Sequence, residues 1–402
     1  MDSLTELLAP RFLRYVRICT ASSREIDETP SCKGQWELAK LLAEELYSLG
    51  VLNVEITDHC YVLALLPASA GMENAPAIGL LAHLDTSDDV PANDVNPVVE
   101  TNDAGETIIR SDGTTLLGAD DKAGIAVIMG AAEYLLSNPE IKHGKILIIF
   151  TPDEETGKGL PSFPMDILKQ HSLVACYTLD GGPMGELETE CFNAIEAKVH
   201  FRGNVTHLGK ARGVPAVHSP ASSGLANASL MAAAFAVMLP RSESPEATDG
   251  YYGYYCPVDI CGNLESAELT VFIRDFDLGR ANERARALEV FARAVEAQFP
   301  GGSVDLRCKN QYFNMKEKID RHPEVIRKLE NAARLVGVDY VFKPIRGGTD
   351  GSRLTELGIP TPNIFTGGRN FHSVNEWVSV PEMETSCRLT IELVRSWAEH
   401  YN

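Results

Sequence analysis

Three consecutive acids follow an apolar run near the middle of the chain. The run Ile146–Phe150 is followed by Thr-Pro and then by Asp153, Glu154 and Glu155. Such a run predicts a buried strand that delivers these carboxylates to the edge of a sheet. Two adjacent glutamates cannot point the same way, so one can bind a cation while the other faces a substrate or a water molecule. A solvated acidic turn is the alternative interpretation.

Two other apolar runs also end in side chains that can bind metal. Ala77–Ala82 leads directly into His83 and Asp85, and Leu173–Leu179 leads into Asp180. In an α/β domain the carboxyl ends of the strands converge on one edge of the sheet, so residues distant in sequence can meet there. We therefore expect these side chains to lie near the acids that follow Phe150.

Asp120 and His372 complete the candidate set. Asp120 and Asp121 precede a long apolar-rich segment that runs to Leu136, which places them at a predicted helix N-terminus. Capping of that helix is the simpler explanation, because Asp is a common N-cap residue. His372 lies in a loop after the predicted strand Thr361–Phe365.

This set offers two imidazoles, three carboxylates and no thiolate, from His83, Asp120, Glu155, Asp180 and His372. Catalytic zinc prefers such a mixture with one open coordination position. Three acids are more than one zinc ion needs, which suggests two ions about 3.5 to 4 Å apart that share a carboxylate. The residues alone leave a structural hydrogen-bond network and a single cation open as alternatives.

The hydrophobic pattern predicts an α/β catalytic domain around these residues. Helical spacing of apolar residues is found in residues 3–18, 34–49, 324–336 and 381–400, and in the segment after Asp120. Continuous or alternating apolar runs predict strands at 54–66, 77–82, 146–150, 173–179 and 361–365. Nearly all-apolar strands are typical of a sheet covered on both faces. We predict a mixed, largely parallel sheet flanked by helices.

A second pattern begins at Ala194. Strands are predicted at 194–201, 251–261, 267–276 and 303–309, and helices at 225–239 and 278–299. The order β-α-β-β-α-β is that of a ferredoxin-like unit. A chain of 402 residues is expected to form two domains. We predict a discontinuous catalytic domain, residues 1–191 and 314–402, and an inserted ferredoxin-like α+β lid and dimerisation domain, residues 192–313.

Composition excludes several classes of function. The formal net charge of -20 disfavours nucleic acid as a partner, because nucleic-acid affinity depends on Lys and Arg that neutralise phosphates. The nine cysteines are scattered and include no Cys-x-x-Cys pair, which favours reduced thiols in a cytoplasmic protein. The sequence shows neither an export signal nor an apolar run long enough to span a membrane.

An ordered series of short motifs covers nearly the whole chain. These motifs are Ala82-His-Leu-Asp-Thr86, Leu117-Gly-Ala-Asp-Asp-Lys122, Pro152-Asp-Glu-Glu155, Leu179-Asp-Gly-Gly182, Ile273-Arg-Asp-Phe-Asp277, Lys343-Pro-Ile-Arg-Gly-Gly-Thr-Asp-Gly351 and Phe365-Thr-Gly-Gly368 with His372. The series resembles the peptidase T family, the tripeptide aminopeptidase branch of the two-zinc aminoacylase and carboxypeptidase superfamily. One such motif would be weak, whereas the ordered set is highly specific.

The resemblance implies a role for each candidate ligand. His83 and Asp180 would bind one zinc ion, Glu155 and His372 the other, and Asp120 would bridge them. The family also implies a cis peptide bond after Asp120. Co²⁺ or Mn²⁺ could substitute for zinc.

Two further acids receive roles from the same resemblance. Asp85 would orient His83 through the far ring nitrogen and so fix the imidazole tautomer. Glu154 would be the general base, which takes a proton from the attacking water and returns it to the leaving amine.

Substrate-binding residues are implied in the inserted domain and near its end. They are Arg274, Arg346, Asn263 and the oxyanion partner His207. The glycines after Arg346 leave the bare backbone approach that suits a carboxylate, although a surface ion pair is the commoner role of an arginine. The family's His-Pro-Gly segment is His207-Leu-Gly209 here, and an inserted-looking stretch, 213–224, holds His218 as a second candidate.

The sequence thus predicts a cytoplasmic zinc aminopeptidase that cleaves tripeptides and other short peptides. The partner predictions are short peptides and a possible homodimer through the lid domain, without nucleic acid or membrane. A dipeptidase or an N-acyl amino acid deacylase with the same dimetal site is the alternative enzyme. A non-catalytic metal-binding scaffold would require Glu154 to be idle.

Overall fold

The computed structural model describes residues 4–211 and 224–399. The chain forms two compact units. Unit 1 comprises Met1–Thr189, Met315–Lys343 and Thr349–Asn402, and unit 2 comprises Glu190–Asn314 and Pro344–Gly348. The stretch 212–223, which includes the candidate His218, lies outside the described residues.

Helices occur in both units. They are α1 Leu4–Tyr15, α2 Lys33–Ser48, α3 Ala119–Ser137, α4 Asp166–Gln170, α5 Ala228–Met238, α6 Leu278–Gln298, α7 Lys316–Ile319, α8 Pro323–Leu335, α9 Asp350–Glu356 and α10 Val380–Ala398. Among the helices in the described ranges, none combines the length and apolar character that crossing a membrane requires.

Strands likewise occur in both units. They are β1 Asn53–Ile56, β2 Val62–Leu66, β3 Ala77–His83, β4 Val98–Thr101, β5 Thr107–Arg110, β6 Ile146–Thr151, β7 Leu173–Gly181, β8 Glu186–Glu188, β9 Asn193–Arg202, β10 Tyr254–Gly262, β11 Ser266–Asp275, β12 Ser303–Tyr312, β13 Val341–Phe342, β14 Asn363–Phe365, β15 Gly368–Arg369 and β16 Trp377–Ser379.

The main sheet of unit 1 is mixed. Within the described residues its strand order is β1-β2-β6-β3-β7-β14-β8-β13. The central neighbours β6, β3, β7 and β14 are parallel, whereas β1, β2 and β6 pair in antiparallel fashion. Helices flank this sheet, and the predicted α/β class is confirmed.

Burial explains why β3 and β6 are apolar along their whole length. Every residue of both strands is buried, as expected for strands covered on both faces. Helix α3 packs against β3 and β7 and is buried at most of its positions. A Cβ atom at Gly124 would lie 2.0 Å from the carbonyl oxygen of Leu179, so only glycine allows α3 to approach β7 this closely.

The predicted strand 54–66 is wrong as a single element. The chain instead turns between β1 and β2, which pair in antiparallel fashion. The amide of Cys60 donates to the carbonyl oxygen of Thr57 at 2.9 Å, and Cys60 has a positive φ of 67°. Two polar residues, Asp58 and His59, interrupt the apolar pattern and form this turn.

A small antiparallel sheet of unit 1 was missed by the sequence pattern. Its order is β15-β16-β5-β4, and two of its strands are only two or three residues long. Strands this short carry no usable periodicity. The loop between β15 and β16 contains His372, so this sheet helps to position a candidate ligand.

Unit 2 is built on an antiparallel sheet with the order β10-β11-β9-β12. One face contributes alternate residues to an apolar core that also contains side chains of α5 and α6. The order of elements is β-α-β-β-α-β, and the predicted separate α+β unit is confirmed. Its role as a lid and dimerisation domain stays a prediction.

Candidate functional site

The carboxyl ends of three neighbouring strands of unit 1 carry candidate ligands. His83 is the last residue of β3, and Asp180 is the penultimate residue of β7. Glu155 lies in the short 3-10 helix Glu154–Thr156, which follows β6. The order β6-β3-β7 places these residues along one edge of the sheet.

Asp120 lies between the two candidate imidazoles. Its Oδ1 is 2.8 Å from Nε2 of His83, and its Oδ2 is 3.4 Å from Nε2 of His372. Nε2 of His83 is also 3.6 Å from Oδ1 of Asp180, and Nε2 of His372 is 3.0 Å from Oε1 of Glu155. The structure therefore brings all five candidate ligands together, with one oxygen of Asp120 facing each imidazole.

The donors at this position fit metal ions. One ligand atom each from His83, Asp120 and Glu155 lie within 4.8 Å of one another, and the same holds for His83, Asp121 and Asp180. Oε1 of Glu155 is buried without a hydrogen bond of good geometry, although an imidazole nitrogen is close. A buried carboxylate oxygen left without a hydrogen bond is costly unless a cation compensates it.

Asp121 itself is held by the backbone. Its Oδ2 accepts a hydrogen bond from the amide of His83 at 3.1 Å, and its Oδ1 accepts one from the amide of Gly124 at 3.2 Å. The peptide bond between Asp120 and Asp121 is cis, as the family resemblance implied.

Burial and the neighbouring carboxylates have opposite effects on the pKa of the two imidazoles. Burial lowers the pKa of both histidines, but hydrogen bonds to carboxylates outweigh burial and raise the pKa of His83 well above its usual value. The same balance, with Asp120 and Glu155, raises the pKa of His372 to about 12. Burial and the charge of Asp120 raise the pKa of Asp180 to about 7. The imidazoles thus compensate carboxylates that would otherwise repel one another.

Asp85 connects His83 with the turn that carries the two glutamates. The residue is fully buried, and Nδ1 of His83 lies 3.3 Å from its Oδ1. Its Oδ1 accepts a hydrogen bond from the amide of Glu154 at 2.9 Å, and its Oδ2 accepts one from the amide of Glu155 at 3.1 Å. Both oxygens are therefore used to fix the backbone of this turn.

The surroundings of Glu154, the candidate general base, shift its pKa. Burial, followed by the charges of Asp180, Asp350 and Glu155, raises its pKa well above the usual range, and His83 opposes this. Asp350 starts α9, is 4% exposed, and has one oxygen without a hydrogen-bond partner. The motif Gly347-Gly-Thr-Asp-Gly351 thus contributes a buried acid that no sequence pattern singles out.

Asp153 anchors the other side of the same turn. Its backbone has a left-handed φ of 52°. Its carboxylate accepts hydrogen bonds from the amide of Ser31 at 2.8 Å, the hydroxyl of Ser31 at 2.6 Å and Nε2 of Gln35 at 2.7 Å. Ser31 and Gln35 thus hold the turn that carries the two glutamates, although they are more than 115 residues away in the sequence.

Three more side chains that support the ligands were missed. Oδ2 of Asp89 lies 2.8 Å from Nδ1 of His372, and Oδ1 of Asn363 accepts a hydrogen bond from the amide of Asp180 at 2.9 Å. Glu376 is buried and accepts hydrogen bonds from the loop before Asp120. No local sequence signal points to Glu376, because the amides that it binds are more than 250 positions away.

Arg346 does not present free donors to a carboxylate in this structure. Its Nη1 donates to the carbonyl oxygens of Gly250 and Tyr252, and its Nη2 donates to the carbonyl and hydroxyl oxygens of Thr248, at 2.8 to 3.2 Å. Two aromatic rings flank the guanidinium, with centroids at 5.1 and 5.6 Å. The loop 248–252 therefore accepts from both terminal nitrogens of Arg346, and the predicted role of this residue in substrate binding stays a prediction.

Arg274 keeps more of its hydrogen-bonding capacity. The residue is 8% exposed, and its Nη1 donates to the carbonyl oxygen of Ile273 at 3.1 Å. The rings of Phe272 and Tyr312 lie 4.8 and 5.5 Å from it. Arg274 is therefore the better of the two arginine candidates.

The remaining predicted residues, Asn263 and His207, are exposed in unit 2. Oδ1 of Asn263 accepts hydrogen bonds from the amides of Glu265 and Ser266, at 2.8 and 3.1 Å, and so shapes the turn between β10 and β11. His207 precedes a short 3-10 helix, Leu208–Lys210. Neither arrangement tests their predicted roles.

The profile of peptidase family M20/M25/M40 matches residues 79–396. The chain belongs to this family. A curated relative, peptidase T of Geobacillus thermodenitrificans, is 41% identical to this M20 chain over 414 residues and spans 96% of the chain and 97% of the relative. Candidate ligands from His83 to His372 all lie within the matched region.

Solved structures share the fold of this M20 chain. A tripeptidase from Staphylococcus aureus aligns with a TM-score of 0.76 and 21% identity, over 98% of this chain and 99% of the other. A dinuclear metal binding peptidase of the M20 family from Bacillus subtilis aligns with a TM-score of 0.65 and 14% identity, over 98% of both chains.

Proposed function

We propose that this protein is a metal-dependent aminopeptidase that releases the N-terminal residue from tripeptides. The observation that carries the proposal is Asp120, whose two oxygens face the imidazoles of His83 and His372 beside two more carboxylates. Nearly full-length similarity to a relative named peptidase T supports the choice of peptide substrates.

In this proposal the site holds two zinc ions, with Co²⁺ or Mn²⁺ as possible substitutes. His83 and Asp180 would hold one ion, Glu155 and His372 would hold the other, and Asp120 would contribute to both. When bound, the ions supply Lewis acidity, which polarises a peptide carbonyl and lowers the pKa of water.

Glu154 moves the proton. Its carboxylate takes a proton from the attacking water and returns it to the nitrogen of the leaving amine. Asp85 supports this step because its oxygens hold the amides of Glu154 and Glu155, so the base and its neighbouring ligand keep a fixed relation. Asp85 also orients the ring of His83.

Length selectivity requires groups that recognise the two ends of the peptide. We assign the substrate carboxylate to Arg274, because a guanidinium offers paired donors that match two oxygens. Asn263 and His207 remain further candidates for substrate binding, and His207 for the oxyanion. Arg346, whose Nη donors hold Thr248, Gly250 and Tyr252, is the second candidate for the substrate carboxylate and would have to release that loop to bind it.

A homodimer through unit 2 is part of the proposal. Helix α5 contains no charged residue, and two of its apolar side chains, Leu230 and Val237, are 57% and 81% exposed. Exposed apolar side chains on an uncharged helix support a contact with a second copy of the chain. In a chain with a net charge of -20, an uncharged face is where two copies would repel least. The cytoplasmic location stays a prediction.

The deciding experiment is a hydrolysis screen with zinc-loaded wild-type protein. Dipeptides, tripeptides, tetrapeptides, tripeptide amides and N-acetyl amino acids are compared by kcat/KM, with metal content measured in parallel. Tripeptides with a free amine and a free carboxylate should be the best substrates. Faster cleavage of dipeptides or N-acetyl amino acids would favour the sibling hydrolases, and two bound metals without any hydrolysis would favour a scaffold.

A further inference from the structure

Glu376 is a buried acid in the loop that carries His372. It lies four residues after His372, directly before β16, and its relative exposure is 1%. Its amide donates to the carbonyl oxygen of Ser373 at 3.1 Å, and its own carbonyl oxygen accepts from the amide of Ser111 at 3.0 Å. The main chain around Glu376 is thus fixed both to the His372 loop and to the residue that follows β5.

The side chain of Glu376 is fixed to a different segment. Its Oε2 accepts hydrogen bonds from the amides of Leu117 and Gly118, both at 2.7 Å, and its Oε1 accepts one from the amide of Asp120 at 3.1 Å. Gly118 has a left-handed φ of 84°, which turns these amides toward the carboxylate. Backbone amides that converge in this way form an anion site, which a side chain of the same protein fills here.

This single residue therefore joins the segments of two candidate ligands. Asp120 and His372 are 252 positions apart in the sequence, and the distance between Oδ2 and Nε2 is 3.4 Å. Of the three amides that Glu376 binds, one belongs to Asp120 itself, the residue whose carboxylate faces both imidazoles. A change at Glu376 would move Asp120 relative to His372.

We propose that Glu376 is a positioning residue that fixes Asp120 relative to His372, and thereby the metal affinity of the site, by tying the backbone of Asp120 to the His372 loop. The inference rests on the proposed dimetal site and deepens it. Glu376 touches neither the ligand atoms nor the substrate, and its effect passes through Asp120. A purely structural residue would change stability and leave the metal affinity unaltered.

The variant Glu376→Gln separates these roles. The amide oxygen of glutamine can keep both hydrogen bonds to Leu117 and Gly118, but its NH₂ group then faces the amide of Asp120, donor against donor. Glu376→Asp keeps the charge and shortens the reach by one methylene. Glu133→Gln is the matched control. It makes the same chemical change on α3, at a glutamate that pairs with Arg11 and not with the amides next to a candidate ligand.

The test measures metal binding and not only turnover. Zinc affinity of each variant is determined by competition with a chromophoric chelator, and Co²⁺ loading is followed by its visible absorption. We expect Glu376→Gln to weaken the more loosely held ion about 10 to 100-fold and to alter the Co²⁺ spectrum, as removal of groups that orient ligands does. At saturating metal, kcat should fall while KM for a tripeptide stays nearly constant. Glu133→Gln should bind both ions as the wild type does.

Each result decides the inference. Wild-type affinity and spectrum in both Glu376 variants would overturn it, and so would failure of both variants to fold, which would make the residue purely structural. A wild-type protein that binds fewer than two ions would instead refute the proposed dimetal site. Weakened metal binding in Glu376→Gln, with an unchanged control, would establish the positioning role.

Discussion

The substitution Asp85→Asn tests how the turn with the two glutamates is held. The two oxygens of Asp85 accept hydrogen bonds from different amides, those of Glu154 and Glu155. Asparagine has only one acceptor oxygen, so in either orientation one of these buried amides must face an NH₂ group. Asparagine has nearly the same shape as aspartate, so the substitution creates no cavity. Its effect therefore measures the loss of hydrogen bonding and charge alone.

The size of the effect follows from these contacts. Loss of one hydrogen bond to a charged group costs about 1.5 to 3 kcal/mol, and the remaining bond becomes neutral and loses roughly another 1 kcal/mol. We therefore expect the free energy of unfolding to fall by about 2.5 to 4 kcal/mol. Displacement of Glu154 and Glu155 should lower kcat/KM for a tripeptide about 10 to 100-fold, which is typical when a partner of a metal ligand is removed.

The assay compares urea unfolding and tripeptide kinetics at one fixed zinc concentration. The control is Asp166→Asn, which makes the same change at a position whose side chain is 88% exposed, and it should alter stability by less than about 0.5 kcal/mol. If Asp85→Asn matches the wild type in both unfolding and kcat/KM, the proposed support of the glutamate turn is refuted.

Three further predictions follow from the site. Glu154→Gln should reduce kcat by orders of magnitude and leave two ions bound, because it removes a base and no ligand; wild-type turnover would show that the base is another group. Carboxylates raise the pKa of His83 and His372 above the model-peptide value of 6.5, so the stability that their protonated forms give the metal-free protein is full below that pH and is lost as pH rises through the folded pKa values. Zinc needs both rings neutral, so calorimetry in buffers of different ionisation enthalpy should show proton release and an affinity that falls with decreasing pH; binding without proton release would contradict this. Arg274→Ala should raise KM for a tripeptide at least tenfold and change it little for the tripeptide amide, whereas equal effects on both would exclude Arg274 as the carboxylate partner.

Sequence reasoning located the candidate ligands because their signals are local. An apolar strand that ends in His83 or Asp180 can be read from a few consecutive residues, and parallel strands bring such ends together. The β-α-β-β-α-β order of unit 2 was readable for the same reason, since its strands and helices are long. The family motifs added the roles, which spacing alone left open.

The supporting residues could not be found in this way. Glu376 acts on amides more than 250 positions away, and Asp153 acts on Ser31 and Gln35 across the sheet edge. Such pairings depend on the three-dimensional fold and leave no periodic pattern. The contacts of Arg346 with the loop 248–252 have a similar origin, because its neighbouring glycines indicate nothing about a loop almost 100 residues earlier in the chain.

The order of the ligands along the chain has a consequence for biosynthesis. His83, Asp120, Glu155 and Asp180 are all translated before unit 2, whereas His372 is translated after it. Strand β14, whose Asn363 holds the amide of Asp180, is also made late. A ribosome-bound chain therefore carries an incomplete set of donors until His372 has been added. Translation itself thus delays the assembly of the centre until the inserted unit has been synthesised in full.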